Sequence, residues 1–252
     1  MVIYSYSRLQ TFEQCQLKFK FKYIDELEPE IKQTIEGFLG NKVHETLEWI
    51  YKSIENGPSP TLDETIEYYL NSWNKNFNSE IKIVKKDLTA EYYFNRGIRL
   101  IVDYYTENFP FKDNTIATEK LISFNLDEKG EYKFRGYVDR IVYNEETNTY
   151  EIHDYKTTES PKSQEDLDKD KQLAAYSIAL REQFNTNNVD LIWHFLSFNK
   201  KMTSRRTTEQ LQDLKNQIIE LIKKIESTTK FEPNPGKICD WCEFRKYCPV
   251  WN

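Results

Sequence analysis

Two short segments carry residue types that can do hydrolytic chemistry: Gly136-Tyr137-Val138-Asp139-Arg140 and, fifteen residues after Asp139, Asp154-Tyr155-Lys156. Side chains alternate faces along a strand, so Tyr150, Ile152, Asp154 and Lys156 would share one face and Glu151, His153 and Tyr155 the other. If the two segments pair across a short turn at Asn144 to Thr149, Asp139 reaches the same end of the sheet, and two carboxylates and an amine surround one point. Hydrolysis of a phosphodiester uses that set: oxygen ligands for a hard divalent cation, a water the cation activates, and a nearby ammonium. Lys156 can orient the water, stabilise developing charge or, in a neutral form favoured by burial and a neighbouring metal, act as a base. The sequence leaves these roles open, and a plain salt-bridged sheet face is the competing reading of Asp-x-Lys.

Other residues have two readings each. His44 shares a helix with Gly40, Leu47 and Tyr51; it is a metal ligand for which the glycine leaves room, or a packed core histidine. Gln172 and Tyr176 are four apart and project from one helix face, toward the preceding strand or as ordinary polar surface. The chain has four cysteines, Cys15 far from Cys239, Cys242 and Cys248. Four thiolates suit a [4Fe-4S] cluster or a structural zinc, with disulfides the alternative that a reducing compartment disfavours. One remote and three clustered cysteines do not make the two close pairs of a zinc ribbon. A redox role for Cys239 and Cys242 lacks an adjoining thioredoxin-like βαβ pattern.

The elements that must position these residues are legible as periodicities. Ser5 or Ser7 caps a short helix ending near Gln14, with Cys15 at its stop. Ile35, Phe38, Leu39, Val43, Leu47, Ile50, Tyr51 and Ile54 mark an amphipathic helix over Thr34 to Ile54. Further helices are expected over Leu62 to Phe77 and Thr89 to Glu107. Ala117 to Leu126, Tyr132 to Tyr143, Thr149 to Thr157 and Val189 to Phe198 read as strands. One helix, Gln164 to Phe184, lies between the last two, and another, Thr207 to Glu226, follows. Glu232 to Gly236 is a loop leading into the cysteine-rich tail.

Taken together these residues resemble the RecB-type nuclease branch of the PD-(D/E)XK superfamily, whose ordered pattern is His, Gly-x-x-Asp-Arg, Asp-Tyr-Lys-Thr and Gln-x-x-x-Tyr. His44, Gly136 to Arg140, Asp154 to Thr157, and Gln172 with Tyr176 match it, and Ser5 to Cys15 looks like the family's opening helix. The resemblance implies an α/β (α+β) restriction-endonuclease-like core, a central mixed sheet flanked by helices. It implies one nuclease domain over 1–252, helical over 1–110, catalytic over 111–226, with a tail at 227–252 joined to Cys15. By the same resemblance Asp139, Asp154, His44 and the carbonyl of Tyr155 bind Mg2+ or Mn2+, Lys156 serves the attacking water, and Gln172 and Tyr176 support the site or hold DNA. Glu119 is an extra carboxylate, as in some relatives. The cysteine set resembles the staple of AddB-type and CRISPR-associated RecB-like exonucleases, which implies a [4Fe-4S] cluster on Cys15, Cys239, Cys242 and Cys248; Trp241, Phe244, Tyr247, Pro249 and Trp251 would shield it from solvent or equally serve as plain core residues. The expected function is an exonuclease on single-stranded DNA ends, working with a helicase or CRISPR-adaptation partner; the alternative is a non-catalytic DNA-binding subunit of a repair or adaptation complex.

Composition bounds this reading. With 252 residues, 38% of them hydrophobic, and only 7 Gly and 8 Pro, the chain is ordered and long enough for one sizeable core. A net charge of -6 excludes a global basic field, so any DNA contact is local. Two patches offer it, Lys18, Lys20 and Lys22 among aromatic residues, and Lys200, Lys201, Arg205 and Arg206; both also read as solvated faces. No basic leader or bilayer-length apolar run is apparent, so a cytoplasmic protein without membrane contact is expected. No phosphate loop is present, so no ATP motor is expected in this chain.

Overall fold

The computed structural model describes residues 3–251. In chain order they form β1 (Ile3–Tyr4), α1 (Tyr6–Gln14), α2 (Gln16–Tyr23), β2 (Gln33–Thr34), α3 (Ile35–Asn56), α4 (Leu62–Asn76), β3 (Ile81–Lys82), α5 (Ala90–Asn108), β4 (Thr115–Asn125) and β5 (Lys133–Asn144). Then come β6 (Thr149–Lys156), α6 (Gln164–Asp168), α7 (Lys171–Phe184), β7 (Val189–Phe195), β8 (Lys200–Arg205) and α8 (Thr208–Ser227). A central mixed sheet runs β1-β5-β6-β7-β8, with β4 also on β5, and helices cover both faces, as expected for the α/β class.

The pairing register creates the feature that matters for function. One side of β5 is taken by β4 from Lys133 to Val142. On the other side β6 pairs antiparallel only with Arg140 to Asn144, and β1 pairs parallel only with Lys133 and Phe134. Residues 135–139 are therefore unpaired along that edge, while β6 runs on beside β7 as far as Lys156 opposite Phe195. The sheet forks there, with Asp139 on one limb and Asp154 on the other.

Two apolar cores lie on the two faces. Ile122, Phe134, Val138 and Ile152 pack with α1, α2, α7 and α8. Tyr155 and Leu196 pack with α3, α4 and α5. The stripe on α8, Leu211, Leu214, Ile218, Ile222 and Ile225, is buried; each such side chain contributes about 1.5–3 kcal/mol by leaving water. On α3 the expected stripe is buried from Ile35 to Tyr51, and Thr34 caps it by accepting the Gly37 N–H.

Some expectations are corrected. The single helix over Gln164 to Phe184 is two, because Asp170 sits extended and its carboxylate accepts the N–H groups of Gln172 and Leu173, starting α7 afresh. The strand over Val189 to Phe198 stops at Phe195, and a 3-10 turn over Leu196–Phe198 leads into β8. That polar edge strand, Lys-Lys-Met-Thr-Ser-Arg, has no apolar alternation to announce it. Cys15 does end a helix, but its Sγ at once caps another, α2, by accepting the Lys18 N–H at 3.5 Å. Alternating Lys and aromatic residues hide α2, whose Phe19 and Tyr23, four apart, pack together with ring centroids 5.0 Å apart.

Candidate active site

At the fork the backbone of Tyr155 has no strand partner on the β5 side, and side chains supply one. Its N–H donates to Asp139 Oδ2 at 2.9 Å, and its C=O lies 2.8 Å from His44 Nε2. The other ring nitrogen of His44, Nδ1, is 3.4 Å from Asp139 Oδ2. With the proton on Nε2 the carbonyl accepts it and the Nδ1 lone pair faces the carboxylates; with Nε2 deprotonated, Nε2 and the carbonyl are adjacent donors for one ion. α3 delivers His44 from the face opposite α7. The room expected beside Gly40 is bounded by Thr157, whose Oγ1 would lie 3.5 Å from a Cβ there, so the glycine adjoins the end of β6 and not His44.

Asp154 points to the other face, as strand alternation predicts. It is 5% exposed, and its carboxylate is gripped by Lys156, with Nζ 2.9 Å from Oδ1 and 2.7 Å from Oδ2. The Oδ2 contact lacks hydrogen-bonding geometry, leaving a buried carboxylate oxygen without a directed donor. Burial, with the repulsion of Asp139 and against the pull of Lys156, raises the Asp154 pKa to about 6. Burial lowers the Lys156 pKa, but the charge and hydrogen bond of Asp154, with Asp139 behind, outweigh it and raise the ammonium above its usual value.

Glu119 completes the cluster. Thr118 pairs with Arg140 and Lys120 with Val138, which sets Glu119 opposite Asp139. Its φ of 44° interrupts regular strand geometry there. Burial first, then the charge of Asp139, raise its pKa to about 7. Ligand atoms of His44, Glu119 and Asp139 lie within 4.8 Å of one another, a His/Glu/Asp site able to hold a metal ion. One imidazole nitrogen among crowded carboxylates suits Mg2+ or Mn2+, and a dication there would offset the Asp139 charge that, after burial, lifts Glu119.

Around this centre, Gln172 Nε2 donates to Tyr176 Oη at 3.4 Å, and the Tyr176 ring lies where a Cβ on residue 136 would be, 2.4 Å away, so only glycine fits there. A cleft bounded by Ser5, Gln10, Gly136, Lys156, Gln172 and Tyr176 opens between α1, α7 and the bare edge of β5. Behind the site, Arg140 is 1% exposed. Its Nε donates to Tyr155 Oη at 2.8 Å, its Nη2 approaches His153 Nδ1 at 2.9 Å, its Nη1 binds Asp113, and its guanidinium covers the Tyr51 ring at 4.1 Å. The network holds Tyr155 from the side away from the fork, and the matched arginine thereby has a positional role that spacing alone did not disclose.

In both basic patches some cations are engaged within the fold, while Lys22, Lys200 and Lys201 form no ion pair among the described residues. Lys18 pairs with Glu243 and Lys20 with Asp25, both at 2.6 Å. Arg205 pairs with Asp190 at 2.6 Å, and buried Arg206 donates to the carbonyls of Leu167 and Asp170.

The four cysteines line one cavity, with Leu17, Phe21, Ile238, Phe244 and Trp251 among its walls. The tail reaches it through two 3-10 turns, Lys237–Trp241 and Arg245–Tyr247, and is tied to α2 by Leu17 N–H to Glu232 C=O at 3.2 Å and Asn234 N–H to Cys15 Sγ at 3.4 Å. Phe244 and Tyr247 pack on Phe21 with centroids 6.2 and 6.1 Å apart.

A mixed sheet forked between two acidic strands, with a lysine on one limb, defines a class of metal-dependent hydrolase. A family model for the PD-(D/E)XK nuclease superfamily matches residues 3–249, and the chain belongs to that superfamily, a family of metal-dependent nucleases. Among solved structures, the crystal structure of SSO0001 is similar at 14% identity with a TM-score of 0.46, over 99% of this chain and 87% of that one. No curated protein matches. Among the described residues no helix is long and apolar enough to cross a membrane.

Proposed function

We propose that this chain is an exonuclease for single-stranded DNA ends, hydrolysing phosphodiesters with Mg2+ or Mn2+ held by His44, Glu119, Asp139, Asp154 and the carbonyl of Tyr155. The observation that carries the reading is the fork itself: Asp139 fixed by the Tyr155 N–H at 2.9 Å, and Asp154 with an undirected buried oxygen, clamped 2.7 Å from Lys156 Nζ. A bound dication supplies Lewis acidity to the scissile phosphate and lowers the pKa of water. The residues do the rest. Asp139 and Asp154 orient the site, and Lys156, kept as an ammonium by its carboxylates, holds a water or a phosphate oxygen by hydrogen bonding and stabilises charge there. Gln172 and Tyr176, bordering the cleft beside Lys156, position the strand.

For Cys15, Cys239, Cys242 and Cys248 we propose a [4Fe-4S] cluster. All four line one cavity, and half-buried thiols among aromatic residues fit a shielded cluster. A helicase or CRISPR-adaptation protein is the proposed partner, since unwinding would have to come from elsewhere.

The test uses end-labelled single-stranded DNA with manganese and anaerobically purified protein, comparing wild type with Asp154→Ala and Lys156→Ala. Each substitution should lower cleavage by about 10³-fold, the scale of losing one preorganised charge-stabilising group. Equal activity in all three proteins overturns the assignment.

A further inference from the structure

The outer face of the β4–β5 hairpin differs from the rest of the sheet surface. Phe134 and Val138 on β5, and Ile122 and Phe124 on β4, are buried in the core with α7 and α8. The alternate residues Lys133, Arg135 and Tyr137, and their cross-strand partners Asn125, Ser123 and Leu121, point away from that core. Tyr137 and Leu121 stand directly opposite one another, 59% and 48% exposed, a large apolar pair in contact with water. Lys133 and Arg135 form no ion pair among the described residues, unlike Lys18, Lys20 and Arg205. The chain path leads inward from this face to the site. Arg135 and Tyr137 lie on the unpaired edge of β5 and border the cleft that Lys156 also lines. Asp139 is two residues beyond Tyr137, about 7 Å along a strand, comparable to the reach of one nucleotide in an extended chain.

We propose that Tyr137, with Leu121 beside it, is a stacking platform for one base of a single DNA strand, and that Arg135 holds the adjoining phosphate, so that the strand is registered one nucleotide before the carboxylates. The proposal rests on the nuclease reading and adds a specificity residue to it. A ring face this exposed, flanked by unpaired cations on the edge that runs into the acidic fork, matches the aromatic-plus-cation chemistry of single-strand grooves. Bases inside a duplex already stack on their neighbours and cannot use such a platform, so the contact selects unpaired DNA.

The experiment measures binding of a fluorescein-labelled oligothymidylate by anisotropy in calcium, and kcat and KM for its cleavage in manganese, with the full chain and its cysteines kept reduced under anaerobic conditions. Tyr137→Ala should weaken binding and raise KM by about 10-fold, within the range of one base–aromatic stack, with kcat retained. Tyr137→Phe should behave as wild type, and Arg135→Gln should weaken binding less and flatten its salt dependence. In a series of oligonucleotides each lacking one base, wild type should lose affinity at one position where Tyr137→Ala loses none, a coupling that a purely structural tyrosine would not show. Unchanged binding and KM in Tyr137→Ala, with wild type still cleaving single strands, overturns the platform and leaves the nuclease reading standing. Wild type that neither binds nor cleaves single strands overturns both.

Discussion

The acidic fork and the cysteine pocket both gather metal-ligating side chains, yet the fold holds them in opposite ways. The fork is cut into the middle of a sheet; each acidic limb continues into a paired strand, and a buried arginine braces it from behind. The pocket is closed by a segment whose only regular structure after α8, among the described residues, is two short 3-10 turns, and its four thiols are half-buried. The polypeptide therefore makes the fork before any ion arrives, at the cost of carboxylates pushed up to about 6 and 7. In the pocket the proposed cluster would supply the cross-links the chain lacks, closing a loop of more than two hundred residues between Cys15 and Cys239. Preorganisation belongs to the first region, and with the proposed cluster metal-dependent order would belong to the second.

That contrast can be broken most severely at Arg140. Arg140→Ala removes the partner of Asp113, Tyr155 and His153 at once and should cost about 3 kcal/mol, the scale for uncovering one half of a buried polar network. Denaturant unfolding followed by far-UV circular dichroism measures it. The absorbance of the proposed cluster should be unchanged in the folded variant, because the pocket is not braced by this network; loss of both together would merge the two regions.

Acid provides a gentler probe of the same brace. His153 Nε2 donates to Glu151 at 2.9 Å, while its Nδ1 accepts from Arg140 and from His194 Nε2 at 2.8 Å, so both imidazoles are held neutral. Burial, with the charges of Arg140 and Lys201 beside them and, for His194, the His153 ring, lowers both pKa values well below the ordinary 6.5. Below that value the unfolded chain binds protons that the folded chain refuses, so stability is complete above it and declines as pH falls, by about 1.4 kcal/mol per pH unit for each histidine. Glu119 and Asp154, raised to about 7 and 6, take up protons in the folded chain over the same range and oppose this slope. The histidines are therefore read in a Glu119→Gln/Asp154→Asn background, where unfolding midpoints should fall between pH 6.5 and 5. A midpoint in that background that is pH-independent, or that rises in acid, contradicts it.

Cys15→Ser should have the smallest global effect and the sharpest local one. Amide exchange should quicken across residues 228–251 while β5 and β6 keep their protection and the sheet's unfolding midpoint moves by about 1 kcal/mol or less, the range for a surface segment. Uniform loss of protection would show that the pocket, too, supports the fork.

Much of this was legible because the informative residues are neighbours in sequence or repeat at short periods. The stripes of α3 and α8 announced their helices, and strand alternation placed Asp154 and Lys156 on one face. Asp139 came to the fork through a turn short enough to read. What stayed hidden depends on contacts remote along the chain. Lys18 and Arg205 looked like DNA-binding cations because Glu243 and Asp190 are distant in sequence. The break at Asp170 is a local capping choice inside an otherwise helical pattern. Glu119 could be named only by resemblance, since its place opposite Asp139 depends on an irregular backbone with φ of 44° that no alternation rule foresees.

The central claim is that the fork is a cation site built by the sheet. Calorimetric titration of the anaerobic protein with Mn2+, repeated with Asp139→Ala, tests it most directly. Wild type should bind manganese at the fork and Asp139→Ala should lose that binding while remaining folded with its cysteine pocket intact. Manganese binding of equal affinity and stoichiometry in both proteins would contradict the account.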